Sequence, residues 1–239
     1  MRTLMGNGMA FDSMRNGSNT VLLVHSDTTD TSTTFTDSSG NGHTLTAQGN
    51  AQHTTDAMKW GKTSIQTAAA GDYISIPDSA NWNMGSGAFT IDFWNYHTTA
   101  ATPEFFSQQQ SSPNLEDAVY SYDGGTSATF RIRSADSALA VANFSHAAFS
   151  ANIWYHIAFI RGWGGSANNL ACCINGVQQG ATFDITGVSW PELTGTFNIG
   201  SYYYDGAWVS GEKELDEFRV VKGEAMWTNQ FIPPAGPYS

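Results

Sequence analysis

The aromatic side chains best suited to contact a ligand lie in the last third of this 239-residue sequence. A run of tyrosines is followed closely by an aspartate and a tryptophan, and another tryptophan stands between glycines at a predicted hairpin tip. Exposed rings stack on the flat C–H faces of sugars, while nearby polar groups bind the hydroxyls. The candidate ligand-binding residues are Trp163, Tyr202, Tyr203, Tyr204, Asp205 and Trp208.

Neighbouring residues of an extended strand point to opposite faces, so Tyr202 to Tyr204 cannot all enter one core. At least one of these tyrosines is therefore predicted to be exposed. Three uses remain open for the rings: a glycan site, a protein interface, where Tyr and Trp are enriched, or packing beneath loops.

Acidic residues form two further candidate sites. Glu212, Glu214 and Asp216 alternate, so on an extended strand they share a face, and glycoside hydrolysis requires a pair of carboxyl groups. Asp37 and Asn41 lie on one tight turn and offer oxygens of the kind that calcium binds. Calcium takes about six to eight oxygen ligands, so one turn cannot supply them all.

The sequence contains no recognisable motif for nucleophilic or redox catalysis. No histidine stands in a pattern with Ser or Cys that implies a catalytic dyad, and His156, in a predicted strand, is interpreted as structural. Cys172 and Cys173 are adjacent, so they point to opposite faces and are predicted to pack there without a disulfide.

Charge and composition exclude several classes of protein. Ten Lys and Arg against 21 Asp and Glu give a net charge of −11, which repels nucleic acid and anionic lipid surfaces. With 14 Phe, 9 Tyr and 8 Trp, the chain has enough apolar surface for a packed core.

The N-terminal residues lack an unbroken apolar stretch, so we expect neither a secretory signal nor membrane insertion. We therefore expect that the protein is synthesised in the cytoplasm.

Short alternating stretches rich in β-branched and aromatic residues, separated by turn residues, predict an all-β protein. Residues 1–19 show no periodicity and are predicted to form an extended N-terminal arm, followed by one domain over residues 20–239. About a dozen strands are expected in an antiparallel two-sheet β-sandwich of jelly-roll type. The clearest strands are Val21 to His25, Tyr73 to Ile76, Phe89 to Tyr96, Thr129 to Arg133, Ile153 to Arg161, Leu170 to Ile174, Thr196 to Ile199 and Leu215 to Val221.

Several segments of the chain, in order from Thr20 to Tyr238, resemble the laminin-G-like domains of the concanavalin-A-like lectin/glucanase superfamily. The segments are Val21 to His25 with Asp27, Phe35 to Gly42, Gly71 to Pro77, Phe89 to Trp94, Trp154 to Ala158, Ile174 to Val177, Asn198 to Gly200, Leu215 to Val220 with Lys222 and Gly223, and Phe231 to Pro234. The resemblance implies a concanavalin-A-like jelly roll, a fold that hosts many functions.

The resemblance also implies a structural calcium ion between the N-terminal segment and a strand near the C-terminus. Its ligands would be Asp27, Asp37 and Asp216, with Asn41 nearby. The alternative is an Asx-turn at Asp37, an exposed Asp27 and an Asp216 that accepts backbone hydrogen bonds.

Hydrolases that resemble this pattern carry Glu-x-Asp followed, a few positions later, by another Glu. Phe218 and Arg219 occupy that place here, so the catalytic pattern is broken and we expect a protein that is not an enzyme. A carbohydrate-binding lectin-like module is the alternative function, and a glycoside hydrolase is the third.

Domains with this resemblance occur in bacteriophage virion and tail proteins and in bacterial surface proteins. The leading hypothesis is therefore a virion surface subunit, a capsid decoration or fibre-associated protein assembled in the host cytoplasm. It would bind other virion proteins or copies of itself through the arm, and host surface glycans through exposed loops.

Overall fold

A computed structural model describes residues 19–98, 103–109, 118–134, 137–204 and 206–239. The described chain is all-β, as predicted, and folds into two large antiparallel sheets stacked as a sandwich. All eight segments predicted as strands are strands. The predicted arm, residues 1–19, lies outside the described residues except for Asn19.

The strands are numbered in chain order. They are β1 (Thr20–Val24), β2 (Thr46–Gln48), β3 (Gln52–Thr54), β4 (Ser64–Thr67), β5 (Tyr73–Ile76), β6 (Phe89–Tyr96), β7 (Glu104–Gln109), β8 (Ala118–Asp123), β9 (Ser127–Ser134), β10 (Ser137–Ser145), β11 (Tyr155–Arg161), β12 (Asn169–Ile174), β13 (Val177–Gln178), β14 (Phe183–Asp184), β15 (Phe197–Ile199), β16 (Tyr202–Tyr204), β17 (Ala207–Val209) and β18 (Lys213–Lys222). Two short 3-10 turns, Ala80–Trp82 and Trp163–Gly165, interrupt the described loops.

Within the described residues, one sheet has nine strands and follows the order β13-β12-β11-β6-β18-β4-β3, with β1 paired to β18 and β14 to β12. The other sheet has seven strands in the order β10-β9-β8-β7-β15-β5-β2. β16 and β17 form a separate hairpin. No helix in the described part of the chain is long and apolar enough to span a bilayer.

The core lies between the two sheets and follows from strand alternation. On β6, Phe89, Ile91 and Phe93 belong to the main core cluster. The ring of Phe93 stacks on Phe218 of the same sheet at 5.3 Å and lies 4.9 Å from Phe105 of the facing sheet. Aromatic contacts therefore join the two layers directly.

The two cysteines confirm the prediction of opposite faces without a disulfide. Cys172 belongs to the main core, whereas Cys173 belongs to a second cluster on the outer face of the nine-stranded sheet. In the turn that follows, Asn175 and Gly176 both have positive φ, as the hairpin type requires. A Cβ on Gly176 would lie 1.8 Å from the carbonyl oxygen of Phe231, so only glycine lets the segment after β18, residues 223–239 and here called the C-terminal segment, pass there.

A buried ion pair joins β6 to β18 beneath the C-terminal segment. The guanidinium of Arg219 donates to both carboxylate oxygens of Asp92 at 2.9 and 3.1 Å, and both side chains are fully buried. The hydroxyl of Tyr238 also donates to Asp92, and the ring of Tyr238 lies 3.7 Å from the guanidinium carbon. Burial raises the pKa of Asp92, but Arg219 outweighs this and holds it below its usual value.

His156 belongs to the same network and confirms the structural interpretation. Its Nε2 lies 3.2 Å from both the Asp92 carboxylate and the Tyr238 hydroxyl. Trp227 and Phe231 of the C-terminal segment pack edge-on against the imidazole. The C-terminal residues therefore cover a charged group that would otherwise lie open on the sheet.

We predict that Arg219→Met destabilises the fold strongly, because it leaves the Asp92 carboxylate buried without its cation. Breaking one side of such a pair costs about 3–5 kcal/mol, which urea unfolding measures directly. Lys62→Met, which replaces an exposed cation, is the control and should change the free energy of unfolding by less than about 0.5 kcal/mol. A similar small loss in both variants would contradict the role given to the ion pair.

Candidate ligand-binding site

The outer face of the seven-stranded sheet brings aromatic and cationic side chains together. On β9, Ile132 enters the core and the neighbouring Arg131 faces outward. Tyr120 of β8 is the direct cross-strand partner of Arg131, and Tyr122 follows on the same face. We call the surface formed by Tyr120, Tyr122, Arg131 and Tyr202 the tyrosine–arginine face.

Three tyrosine rings of this face form one stack. The ring of Tyr202 lies 5.0 Å from Tyr120 and 5.8 Å from Tyr122, and Tyr120 lies 6.2 Å from Tyr122. Tyr120 is buried, whereas Tyr122 and Tyr202 are half-buried. Burial raises the pKa of Tyr202 to about 12, so its hydroxyl stays protonated at neutral pH and can donate or accept a hydrogen bond.

Arg131 lies against this stack. Its Nη1 donates to the Tyr120 hydroxyl at 3.1 Å, and its guanidinium carbon lies 5.8 Å from the Tyr120 ring and 5.7 Å from the Tyr122 ring. Burial lowers the pKa of Arg131, but the hydrogen bond to Tyr120 contributes to a net increase, so the side chain stays cationic. The face therefore combines ring surface with a positive charge.

The hairpin β16–β17 holds Tyr202 in place through its backbone. Gln109 of β7 donates from Nε2 to the carbonyl of Tyr203 at 2.8 Å and accepts from the Tyr203 amide at 2.6 Å. Ser107 donates to the carbonyl of Ser201 at 2.8 Å. The hairpin is therefore tied to the sheet beside it.

Lys213 fixes both ends of the same hairpin. Its Nζ donates to the carbonyls of Gly200 and Gly211, which flank the hairpin, at 2.9 and 3.0 Å. Burial lowers the pKa of Lys213 to about 8, against the influence of the nearby Glu104 carboxylate. A buried cation thus closes the loop at its base.

The structure brings together four of the six predicted ligand-binding residues. Tyr202, Tyr203, Tyr204 and Trp208 all lie on the hairpin, with Trp208 stacked on Tyr73 at 4.2 Å. Tyr204 is 55% exposed, which confirms that at least one tyrosine of the run faces solvent. Asp205 lies outside the described residues.

Trp163 does not belong to the site, and its prediction as an exposed ring is wrong. It is 6% exposed, and its indole Nε1 donates to Gln178 at 2.6 Å. It packs in the outer cluster of the nine-stranded sheet with Ala158 and Ile160, beneath Trp227 of the C-terminal segment. Sequence reasoning placed it at a hairpin tip but could not anticipate this covering segment.

Sequence reasoning missed Tyr120, Tyr122 and Arg131. A signal was present, because the alternation Tyr120-Ser121-Tyr122 and the position of Arg131 beside the apolar Ile132 predict outward-facing side chains on two strands. The turn residues Asp123, Gly124 and Gly125 indicate that the two strands are neighbours, but the sequence does not show that the β16–β17 hairpin lies against them.

The alternating acids lie on the other sheet. Glu214 and Asp216 of β18 are 3% and 1% exposed, and burial raises the pKa of each to about 7. Asp216 accepts backbone hydrogen bonds from Trp60 at 3.0 Å and Glu217 at 2.9 Å. The half-buried Glu212 accepts a hydrogen bond from Thr98.

The predicted calcium ligands are engaged within the protein. The Asp37 carboxylate accepts backbone hydrogen bonds from Leu23, Ser39 and His43, which is the Asx-turn alternative. The amide of Asn41 donates to the carbonyls of residues 20 and 21, so it acts as a donor. Both side chains thus make hydrogen bonds inside the protein, and their role as calcium ligands stays a prediction.

Asp27 and Asp216 remain for the predicted ion. Asp27 lines a cavity of about 250 Å³ together with His25, Trp60 and Glu217. The imidazole of His25 pairs with Glu217 at 2.7 Å, and this hydrogen bond raises the pKa of His25. No group of three or more metal-binding side chains is found in the described ranges, so the calcium ion stays a prediction.

We predict that Gln109→Leu loosens the hairpin without unfolding the sandwich, because it leaves the Tyr203 amide and carbonyl unpaired. A loss of about 1–3 kcal/mol of local stability corresponds to hydrogen exchange about 10- to 100-fold faster at residues 202–209. Mass spectrometry of exchanged peptides measures this. Gln48→Leu, which changes a glutamine of the same sheet bonded to Ser75, should leave the hairpin unaffected. Unchanged exchange in Gln109→Leu would contradict the anchoring role.

Binding domains of the Paraclostridial Mosquitocidal Protein 1 and of botulinum neurotoxins are among the solved structures with a similar fold. The binding domain of Paraclostridial Mosquitocidal Protein 1 aligns with a TM-score of 0.64 at 14% identity over 89% of this chain and 51% of that one. The botulinum neurotoxin serotype D ligand-binding domain in complex with N-acetylneuraminic acid aligns with a TM-score of 0.60 at 12% identity over 89% and 49%.

The binding domain of botulinum neurotoxin DC in complex with rat synaptotagmin II aligns with a TM-score of 0.60 at 12% identity over 87% of this chain and 49% of that one. The present chain thus spans about half the length of these structures, and at such identities the likeness concerns the fold. A comparison with curated protein sequences finds no match.

Residues 67–226, about two thirds of the chain, match a single family. The matched region runs from the end of β4 to the start of the C-terminal segment and includes every residue of the tyrosine–arginine face. The chain belongs to the Laminin_G_3 family of the Concanavalin A-like lectin/glucanases superfamily.

Proposed function

We propose that the protein is a non-enzymatic, lectin-like binding module that holds saccharides on the tyrosine–arginine face. The observation that carries this proposal is the anchored stack of Tyr120, Tyr122 and Tyr202, with two of its rings half-buried. Sugar rings present C–H faces that pack on such a surface, and the phenol and guanidinium groups beside it can bind hydroxyls.

The anchoring of the hairpin favours binding over simple exposure. Gln109 and Lys213 hold the backbone on which Tyr202 stands, so little conformational freedom has to be lost when a ligand arrives. Sites that are already ordered bind more tightly for the same contact area. A flexible loop of exposed tyrosines would lack this advantage.

The similar structures are consistent with a module of this class. One of them is a ligand-binding domain in complex with N-acetylneuraminic acid, and another is in complex with a protein, rat synaptotagmin II. These ligands belong to those toxins. For the present chain they support the broader reading of a fold used for recognition, with glycans or proteins as the partners.

The burial of the acidic residues supports a function without hydrolysis. Glycosidases place two carboxyl groups on either side of an accessible sugar. Asp216 is 1% exposed and bound by two backbone amides, so it offers no access to a substrate. Arg219, where related hydrolases would carry a further carboxylate, is committed to Asp92.

We predict that the purified chain binds oligosaccharides on a printed array, and that Tyr122→Ala and Tyr202→Ala weaken this binding about 10-fold or more. The loss follows from the removed stacking, which contributes about 0.5–1.5 kcal/mol beyond the buried area. Titration calorimetry with the tightest array glycan gives the affinities. Circular dichroism melts show whether each variant stays folded.

Tyr96→Ala is the matched control. Tyr96 is also a half-buried strand tyrosine, but it lies on the nine-stranded sheet and stacks on Trp154. Its removal should leave glycan affinity within about twofold of the original protein. Absence of any glycan binding, or equal loss in Tyr96→Ala, would remove the saccharide proposal and favour a protein partner for the face.

We also propose that the protein is a subunit of a virion surface. It would assemble with copies of itself or with other virion proteins in the host cytoplasm. Two observations support a subunit of a virion surface: the family resemblance and the position of Asn19. The Asn19 carbonyl accepts from the Lys222 amide at 3.0 Å, and its side chain donates to Glu224. Asn19 is therefore held beside the end of β18.

We predict that deleting residues 1–18 abolishes self-association while the sandwich keeps its thermal midpoint within about 2 °C, because Asn19 keeps its contacts and none of the described core is removed. Light scattering after size-exclusion chromatography gives the molar mass of each form. Equal mass for the full and shortened chains would contradict assembly through the arm.

A further inference from the structure

We propose that the saccharide bound on the tyrosine–arginine face carries a carboxylate, and that Arg131 binds this group. The inference rests on the proposed function and names the chemical class of its ligand. Arg131 is a cation without an acidic partner among the described residues. No carboxylate there lies within salt-bridge distance of its guanidinium.

Most N–H donors of Arg131 have no hydrogen-bond partner among the described residues. Among the described residues, its guanidinium makes one hydrogen bond, from Nη1 to the Tyr120 hydroxyl. Its Nε is buried and has no hydrogen-bond partner there. A guanidinium has five N–H donors arranged as a fork, which matches the two oxygens of a carboxylate.

Other cations of the described chain are used differently. Arg219 is paired with Asp92, and Arg161, Lys213 and Lys222 donate to backbone carbonyls. Each of these contacts has an evident structural purpose. Arg131 differs because its one hydrogen bond is to a tyrosine of the candidate binding surface.

Among the described residues, no acidic side chain faces outward beside Arg131 on its own strand or on the two strands paired with it. The acid that influences this face is Glu104, which contributes to the raised pKa of Tyr202; burial raises the pKa of Glu104 itself, and the cation of Lys213 lies nearby. The described outward-facing side chains of β8, β9 and β10 are tyrosines, arginines and uncharged residues.

The overall charge of the protein limits how many anionic groups the ligand can carry. At a net charge of −11, the chain repels extended polyanions at long range. A single carboxylate on an otherwise neutral sugar keeps this repulsion small and still gains a charge-assisted pair with Arg131. A uronic or sialic type of sugar has this composition, with a ring or glycerol surface for the tyrosines and one planar anion.

The test is a comparison of matched ligands on the full chain. Printed arrays or calorimetry should use a glucuronic acid-terminated oligosaccharide with its glucose-terminated counterpart, and N-acetylneuraminyl-lactose with its carboxyl-reduced derivative. A sulfated oligosaccharide of the same backbone is included. We expect a carboxylated member to bind about 10- to 100-fold more tightly than its neutral partner.

Arg131→Gln should reduce that ratio to near one, because affinity for the carboxylated sugar falls much more than affinity for the neutral one. Tyr120→Phe, which removes the hydroxyl that orients the guanidinium, should reduce it partly, and it serves if Arg131→Gln is poorly folded. Lys62→Gln removes an exposed cation away from the site and should keep the full ratio.

The failures of the two proposals are distinguishable. Equal affinity for the carboxylated and neutral members, or preference for the sulfated one, would overturn the assignment of a carboxylate and leave the saccharide-binding function standing. A preference that survives Arg131→Gln would overturn the role of Arg131. Binding to none of the sugars would overturn both proposals.

Discussion

The buried ion pair of Arg219 on β18 and Asp92 on β6 sets a requirement for the rest of the fold, because both charges must be covered and hydrogen-bonded. An ion pair of this kind is stable only when hydrogen bonds satisfy the remaining groups, which Tyr238 and His156 do here. The C-terminal segment must therefore lie over the nine-stranded sheet to cover the charges. That requirement accounts for the buried positions of Trp163 and Cys173, which would otherwise be exposed on the sheet surface.

The same strand connects this network to the proposed binding surface. Lys213 at its first position holds both ends of the β16–β17 hairpin, while Leu215 and Phe218 enter the core. A bulge follows Asp216, where Glu217 has a φ of 53°, so the outward side chains change register before Arg219. The strand thus fixes the hairpin at one end and the C-terminal segment at the other.

The two outer faces of the sandwich are covered to different degrees. The face of the nine-stranded sheet is partly closed by the chain itself, with apolar rings over Asp92 and Arg219. The face of the seven-stranded sheet is only partly covered, because the hairpin lies beside β8 and leaves Tyr122 and Arg131 half-buried. A binding function is more compatible with the second face, since its rings are ordered and still accessible.

The all-β class, the eight clearest strands and the Asn175-Gly176 turn were predictable from the amino-acid sequence. They depend on alternation and on backbone preferences, which act between residues close in the chain. The exposure of one tyrosine in the run 202–204 followed from the same local rule. The resemblance of dispersed segments was enough to identify the superfamily.

The composition of the site was decided by the tertiary structure. Tyr202 is far from Tyr120 and Arg131 in the chain and meets them only because the β16–β17 hairpin lies beside β8 and β9. Strand order depends on the packing of the whole core, and local patterns do not encode it. For the same reason Trp163, which sequence placed at an open tip, lies beneath a C-terminal segment that reaches it only in the folded protein, where burial of Asp92 and Arg219 requires a cover.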